Sequence, residues 1–244
     1  MAPLLRLSNA VALAVDTNAR ARCLSASLKV FERTIQGAPR QIAKHLSQWL
    51  RRKDKPRVHT YSYSSTVVEA LVRAKRYLDS VSCSESRPGN EGIKTAKKLV
   101  QAGIKTHFQT DAGLFSQIGG NTVLVLGLDA VLPGWIAGKV GTKVMVARAN
   151  QLGAPVIFLA DTTKFWPEPA DQRYRWEWTF GPDEELWKTP PRNLKVYNPY
   201  FELTPFIASS PIRVVTERGW MSHRAIRRFI DRIKISPRLR ELAD

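Results

Sequence analysis

Short apolar runs alternate with helical patterns along most of the chain from Val58 onward. Strands are predicted for RVHTY, VSCSE, IKTHFQT, TVLVLGL, APVIFLA and IRVVTE, of which TVLVLGL is expected to be buried on both faces. Between them, apolar residues recur at helical spacing in IKTAKKLVQAG, which ends at Gly103, and in KVGTKVMVARANQLG, which ends at Gly153. Alternating strands and helices are typical of a parallel sheet with right-handed crossovers. The pattern therefore predicts an α/β fold with a Rossmann-like, doubly wound, mostly parallel sheet.

The first 55 residues show helical patterns and no strand pattern. TNARARCLSASLKVFERTI predicts a helix that begins at Thr17 or Asn18 and runs to Gly37. PRQIAKHLSQWL predicts a second helix with Pro39 in its first turn. We therefore expect a small helical N-terminal domain over residues 1–55.

The rest of the chain, residues 56–244, is expected to form the Rossmann-like domain. A Trp- and Pro-rich stretch at about residues 166–200 predicts an irregular insertion before the last strand. The segment RAIRRFIDRIKISPRLR predicts a terminal helix whose apolar face consists of Ile226, Phe229, Ile230 and Ile233.

Ligands of doubly wound sheets bind beyond the carboxyl ends of the strands, so the pattern alone identifies candidate loops. These loops are Tyr61–Ser65, Glu85–Gly92, Thr110–Asp111, Gly127–Lys139 and Asp161–Phe165. In the first loop, HTYSYSSTVVEAL crowds hydroxyl groups where a strand gives way to a helix. These hydroxyls either cap the helix or contact a ligand. No G-x-G-x-x-G follows the first strand and no P-loop lysine motif is present, which disfavours a dinucleotide or P-loop nucleotide site.

Charge adds a second feature, because 38 Lys and Arg against 21 Asp and Glu give a formal net charge of +17. Such a surplus favours acidic partners, such as nucleic acid, phosphorylated ligands or an acidic protein. It fits a basic solvated surface equally well, and the arginines of the terminal helix follow its wet face. No recognised nucleic-acid module is present, so any nucleic-acid binding is expected to be weak and non-specific.

Cysteine usage and hydropathy argue against several classes of protein. Cys23 and Cys83 match no metal spacing, so the sequence supports no metal site and no disulfide scaffold, and we expect no cofactor. No apolar run is long enough to span a bilayer. The opening MAPLLRLSNAVALAV loosely resembles a targeting segment, but Asp16 and the missing small-residue cleavage pattern argue against secretion. We interpret it as the first helix of a cytoplasmic protein.

Five segments occur in an informative order: SESRPGNEG, GLDAVLPGWIAGKVGT, ADTTKFWP, NPYFELTP and VVTERG. Together they resemble the initiation factor 2B alpha/beta/delta family, which also contains ribose-1,5-bisphosphate isomerase and methylthioribose-1-phosphate isomerase. The resemblance extends from Val58 to about Met221. It implies a helical N-terminal domain on a Rossmann-like domain that dimerises mainly through the latter. It also implies a phosphorylated-sugar or nucleotide pocket between the two domains.

Members of this family are either isomerases that move a carbonyl along a sugar phosphate or subunits that regulate guanine-nucleotide exchange on initiation factor 2. The isomerases place a cysteine after the first sheet strand and an aspartate after the fourth. The resemblance puts Asp129 of GLDAV at the aspartate position and Ser62 of TYSYSS at the cysteine position. A serine hydroxyl is far less acidic than a thiol and needs an adjacent base at neutral pH, so the catalytic pair is altered.

The resemblance further implies a set of phosphate-binding residues: Asn18, Arg20, Ser64, Ser65, Arg87, Lys139 and Lys164. Two departures stand out: PGWIAGKVGT has Gly138 where the isomerases' NGxxxNKxGT has the asparagine before the lysine, and the N-terminal domain is shorter than usual. We therefore hypothesise a regulatory or binding protein that holds a phosphorylated small molecule without turnover and forms a homodimer. The alternative is an aldose–ketose isomerase acting on a sugar phosphate.

Overall fold

The computed structural model describes residues 17–167, 180–206 and 212–233. Its helices are α1 (Thr17–Leu50), α2 (Ser65–Ala74), α3 (Gly92–Gln101), α4 (Asp111–Ser116), α5 (Thr142–Gln151) and α6 (His223–Asp231). The first seven strands are β1 (Arg57–His59), β2 (Ser80–Ser84), β3 (Thr106–Gln109), β4 (Thr122–Gly127), β5 (Ala130–Leu132), β6 (Trp135–Lys139) and β7 (Val156–Leu159). They are followed by β8 (Phe201–Pro205), β9 (Ile212–Thr216) and β10 (Gly219–Met221).

The main sheet has seven strands in the order β10-β9-β7-β4-β1-β2-β3. Its strand pairs are parallel except for β10, which pairs antiparallel with β9. The chain winds from β1 towards β3 on one side and from β4 towards β9 on the other. The strand order therefore reverses between β1 and β4, which makes this junction the topological switch point. The predicted α/β fold with a mostly parallel sheet is confirmed.

Apolar clusters cover both faces of the sheet, as expected for a doubly wound fold. Along β4, Val123 and Val125 join the cluster on the side of α1 and α2, while Leu124 and Leu126 join the cluster on the other side. This alternation explains why β4 is a continuous apolar run in the sequence. The predicted face of α6 also packs inward, with Ile226 and Ile230 buried and Phe229 and Ile233 partly buried.

The prediction of two N-terminal helices separated between Gly37 and Pro39 is wrong, because α1 is continuous through both residues. An internal proline removes a helical hydrogen bond and costs about 3 kcal/mol. Here the chain beyond it is strongly packed, since Ile42, Leu46 and Leu50 are fully buried in the cluster shared with α2 and the sheet. This packing offsets the weakened turn. The domain boundary at residue 55 stays a prediction.

Residues 127–139 do not form the predicted loop, and Lys139 does not begin a helix. Strands β5 and β6 form an antiparallel hairpin, and β8 adds to it in a second sheet of order β5-β6-β8. The turn contains Pro133 and Gly134, and Gly134 has a φ of 80°, a conformation that glycine adopts without strain. Lys139 ends β6, and Gly141, with a φ of 99°, separates it from α5.

Glycines follow α3 and α5 as predicted, with φ values of 74° at Gly103 and 69° at Gly153. The first helix predicted at the chain's opening, residues 1–16, lies outside the described residues. The same applies to residues 168–179 of the predicted insertion. In the part of the chain that the structure describes, no helix is both long and apolar enough to cross a membrane.

Candidate functional site

A cavity of about 460 Å³ lies beyond the carboxyl ends of β1 and β4, at the switch point of the sheet. The loops after β1, β4 and β7 form much of its wall, together with the end of β6 and α1. Most of the predicted site residues line this cavity: Ser62, Ser64, Ser65, Asp129, Lys139 and Lys164. The rule that ligands bind beyond the carboxyl ends of the strands thus brings these side chains into one cavity.

Ser62 sits in a tightly bonded loop directly after β1. Its φ is 64°, which is uncommon for a residue other than glycine. Its backbone N–H donates to Ser86 Oγ over 2.8 Å, and its carbonyl accepts from Thr95 Oγ1 over 2.7 Å. The Ser62 hydroxyl donates to Glu91 Oε1 over 2.9 Å. These bonds hold the hydroxyl at the cavity wall in one orientation.

The N-terminus of α2 opens into the same cavity. Ser64 caps this helix, and its Oγ accepts the backbone N–H of Val67 over 3.4 Å. Ser65 and Thr66 are the first two residues of α2. Their backbone N–H groups have no hydrogen-bond acceptor among the described residues. A side chain at Gly127 would place its Cβ 2.7 Å from the Cβ of Ser64, so glycine permits the close approach of β4. The positive end of α2 is therefore available to an anion.

The N-terminus of α5 is different, because a protein carboxylate already occupies it. Glu202 Oε1 accepts the backbone N–H groups of Gly141 and Lys143 over 2.9 and 2.7 Å. A carboxylate of the protein thus lies at the N-terminus of α5, whereas no described acceptor binds the N–H groups of Ser65 and Thr66 at the N-terminus of α2.

Glu91 is a site residue that the sequence reasoning did not single out, although it lies in the candidate loop Glu85–Gly92. Its Oε1 atom accepts from the Ser62 hydroxyl and lies 2.8 Å from Lys139 Nζ. The Lys139 side chain is only 7% exposed, and its Nζ also lies 5.1 Å from the centroid of the Tyr200 ring. The ion pair therefore supplies the charge compensation that a buried ammonium requires.

Asp129 follows β4, and its backbone N–H donates to the carbonyl of Ala137 over 2.9 Å. Its side chain keeps access to solvent in the cavity, yet the surrounding protein replaces much of its hydration. This desolvation raises the pKa of the Asp129 carboxyl, against the lowering effect of Lys164 and Lys139. Lys164 itself donates to the carbonyl of Leu128. Asp129 thus combines a perturbed carboxyl with nearby cations, as functional carboxylates often do.

Arg87, another predicted phosphate-binding residue, does not line the described cavity. The backbone N–H of Arg87 donates to Asp111 Oδ2 over 2.8 Å, and its guanidinium donates to the carbonyl of Glu185 over 3.4 Å. Arg87 is exposed and lies outside the residues that line the cavity. Asn18 and Arg20, also predicted to bind phosphate, lie in α1, where the structure describes their backbone and not their side chains.

The described cavity wall contains hydroxyls, carboxylates and ammonium groups but no thiol. Cys83 is buried in β2, where burial raises the pKa of its thiol to about 11. His59 is also buried, and burial lowers the pKa of its imidazole to about 4. Within the described residues, no set of three or more His, Cys, Asp or Glu is placed to hold a metal ion. The arrangement suits recognition of an anionic, hydroxyl-bearing ligand.

Sequence comparison finds one family over nearly the whole chain: the profile of the initiation factor 2 subunit family matches residues 3–223. A ribose 1,5-bisphosphate isomerase of Methanocaldococcus jannaschii is 30% identical over 141 residues, 57% of this chain and 45% of that protein. A Pyrococcus horikoshii protein named as translation initiation factor eIF-2B subunit 2-like is 32% identical over 158 residues, 62% of this chain and 55% of that protein. The chain spans about half the length of the curated relatives it matches.

Solved structures share the fold over most of the chain. The translation initiation factor eIF-2B of Pyrococcus horikoshii has a TM-score of 0.73 at 26% identity, covering 91% of this chain and 76% of that chain. The tetrameric eIF2B-beta2-delta2 complex of C. thermophilum has a TM-score of 0.68 at 25% identity, covering 89% and 69%. A 5-methylthioribose 1-phosphate isomerase of Pyrococcus horikoshii, at 18% identity and a TM-score of 0.68, shows the fold alone; the match covers 92% of this chain and 67% of that chain.

Proposed function

This chain belongs to the initiation factor 2 subunit family, and we propose that it binds a phosphorylated sugar or nucleotide in the cavity without converting it. Its role is then regulatory or binding rather than catalytic. The cavity lies between α1 and the loops at the carboxyl ends of the strands, where doubly wound folds bind their ligands.

The observation that carries this proposal is the hydrogen bond of 2.9 Å from the Ser62 hydroxyl to Glu91 Oε1. Shifting a carbonyl between adjacent carbons requires groups that remove a proton from one atom and return it to the next. A carboxylate is too weak a base to ionise an alcohol at neutral pH, so Ser62 remains a neutral hydrogen-bonding group. It can contact a ligand but does not replace the acidic thiol that the resemblance implies for the isomerases.

A phosphate fits the N-terminus of α2. The unoccupied backbone N–H groups of Ser65 and Thr66 would donate to its oxygens, and the helix dipole favours its negative charge. Lys164, on the loop after β7, adds a nearby positive charge. Charge-assisted hydrogen bonds of this kind are about twice as strong as those between neutral groups.

We also propose a homodimer formed through the sheet domain. Large apolar side chains are exposed on one stretch of the chain: Phe180, Leu186, Trp187, Leu194 and Tyr197. Exposed apolar side chains that are concentrated in one segment favour an interaction with a partner. The similarity to a subunit of the tetrameric eIF2B-beta2-delta2 complex supports this proposal. Light scattering should give twice the monomer mass at micromolar concentration, and a monomer would contradict it.

The second candidate is a sugar-phosphate isomerase that uses Asp129. Its support is the raised pKa of the Asp129 carboxyl in the cavity, which would let this group carry a proton closer to neutral pH. The isomerase names of several relatives favour the same alternative. The two proposals differ in one measurable property, which is turnover.

Calorimetric binding and NMR detection of product should therefore be combined on the same protein samples. We expect wild type to bind a sugar phosphate but to convert neither ribose 1,5-bisphosphate nor methylthioribose 1-phosphate. Ser62→Cys restores the thiol and is expected to create or raise turnover, while Ser62→Ala serves as the matched control without it. Wild-type conversion of either compound, removed by Asp129→Asn, would establish the isomerase instead, since an acid–base group contributes ~10²–10⁴ to the rate.

A further inference from the structure

We propose that Glu91 restricts the cavity to ligands with a single phosphate, by reserving its own end of the cavity for hydroxyl groups. This inference rests on the proposed function and adds a selectivity that the function does not require. Glu91 immediately precedes α3, and its carboxylate lines the cavity beside Ser62 of the loop after β1. It would therefore meet the part of a ligand that lies beside Ser62 and Lys139, whereas the N–H groups at the N-terminus of α2 belong to Ser65 and Thr66.

The first argument concerns the charge of Lys139. Its Nζ lies 2.8 Å from Glu91 Oε1, and the lysine is 7% exposed. A phosphate at this position would have to compete with a carboxylate that is already bonded to the ammonium. If the pair separated, the carboxylate would stay beside the phosphate as a like charge, which repels strongly in a partly desolvated site.

The second argument concerns how firmly the carboxylate is held. Glu91 Oε1 accepts from both Ser62 Oγ and Lys139 Nζ, over 2.9 and 2.8 Å. A side chain at Gly89 would place its Cβ 2.7 Å from Glu91 Oε2, so the backbone of this loop leaves room for the second oxygen. The side chain therefore has little freedom to retreat from an incoming anion.

The third argument concerns what a carboxylate recognises. Ionised carboxylates only accept hydrogen bonds, and the hydroxyls of a ribose ring are donors that Asp and Glu bind in dinucleotide sites. Asp129 and Asp161 also line this cavity, which adds two carboxylates and no arginine among its described residues. The geometry thus assigns hydroxyl groups to the Glu91 end and leaves the phosphate to the N-terminus of α2.

Titration calorimetry with ribose 5-phosphate and ribose 1,5-bisphosphate tests this selectivity on the full chain. We expect wild type to bind the monophosphate at least tenfold more tightly than the bisphosphate. Glu91→Gln removes the charge with little change of shape and should reduce that ratio about tenfold. Glu91→Asp, which keeps the charge, should preserve most of the preference.

Glu69→Gln provides the matched control, because Glu69 pairs with Arg73 on the exposed side of α2 and lies outside the cavity. It makes the same change of charge and should leave the ratio unchanged. Circular dichroism and melting curves show whether each variant folds. If Glu91→Gln fails to fold, the wild-type ratio still tests the selectivity, because a ratio near one refutes it.

The outcomes separate the two proposals. Wild type that binds neither compound refutes this selectivity together with ribose-phosphate binding as the proposed function. Wild type that binds the bisphosphate as tightly as the monophosphate refutes the selectivity and leaves the proposed function standing. The selectivity is also wrong if folded Glu91→Gln keeps the wild-type ratio, because another feature would then exclude the second phosphate.

Discussion

The sheet has a cavity at each end, and the two differ in the way their charges are held. The cavity at the amino ends of the strands has about 520 Å³ and includes Lys53, Lys55 and Arg57 in its wall, all of them exposed. The cavity at the carboxyl ends is smaller, about 460 Å³, yet its Lys139 is 7% exposed and paired with Glu91 at 2.8 Å.

The volume of a cavity therefore does not identify a ligand site, whereas charged side chains that are desolvated and paired do. Transferring a charge from water into the protein is unfavourable unless a partner compensates it. Exposed lysines and arginines keep their water, so the amino-end cavity needs no special arrangement. The exposed basic run there fits a solvated surface, and weak, non-specific nucleic-acid binding by it stays a prediction.

The largest effect on the free energy of unfolding is expected from adding a side chain at Gly92, beside the carboxyl-end cavity. A side chain at Gly92 would bring its Cβ into the carbonyl oxygen of Ser84 and 2.8 Å from Ser86 Oγ. Gly92→Ala must therefore displace the start of α3 and the Glu91 carboxylate with it. We expect it to lower the free energy of unfolding by about 3 kcal/mol or more, measured by urea denaturation.

Gly120 is the matched control at the amino-end cavity. There the nearest atom to an added Cβ is the carbonyl oxygen of Leu152 at 3.6 Å, an ordinary contact. Gly120→Ala should change the free energy of unfolding by less than about 1 kcal/mol. Equal losses in the two variants would show that the carboxyl end is no more tightly built than the amino end.

The sheet and most of this cavity could be predicted from sequence, because buried parallel strands leave a strong local pattern. The run TVLVLGL is apolar at successive positions since both of its faces are covered, and that feature alone locates β4. Parallel strands all end at the same edge of the sheet, and this alignment brings Ser62 and Asp129 together there.

Glu91 and the hairpin before Lys139 were harder to predict, for two different reasons. A glutamate before a helix is common, and only the fold reveals that its carboxylate meets Ser62 and Lys139 from distant parts of the chain. The hairpin does carry a turn signal at Pro133 and Gly134, but its strands have only three and five residues. Pattern rules tuned to long runs overlook such short strands.

An intermediate effect on the free energy of unfolding is expected from replacing Lys139 in the carboxyl-end cavity. Lys139→Met breaks the ion pair and leaves the Glu91 carboxylate with the Ser62 hydroxyl as its remaining partner among the described contacts. Because Glu91 is 28% exposed, water can compensate in part, and we expect a loss of about 1–3 kcal/mol in the free energy of unfolding. Urea denaturation at pH 7 measures it.

Lys53→Met is the control, since Lys53 is exposed and its Nζ lies 4.9 Å from the centroid of the Trp49 ring. This change should alter the free energy of unfolding by less than about 1 kcal/mol. Combining Lys139→Met with Glu91→Gln should restore part of the loss, because neither charge is then left alone. A double variant that merely adds the two single losses would argue against coupling between the two side chains.

The smallest effect on the free energy of unfolding is expected at Asp129, where the informative result is whether the protein becomes more or less stable. Desolvation raises the pKa of the Asp129 carboxyl in the folded protein above its unfolded value, despite Lys164 and Lys139. Between those two pKa values the folded state binds more protons, so stability decreases as the pH rises through that window and stays lower above it. Asp129→Asn removes this penalty and should raise the free energy of unfolding at pH 7, with the gain vanishing as the pH approaches about 4.

The control is Asp54→Asn, at an exposed aspartate of the amino-end cavity, which should change the free energy of unfolding by less than about 0.5 kcal/mol throughout. Urea denaturation from about pH 4.5 to about pH 8 gives both curves. A loss of stability at pH 7 for Asp129→Asn would mean that attraction to the two lysines outweighs the desolvation of this carboxylate.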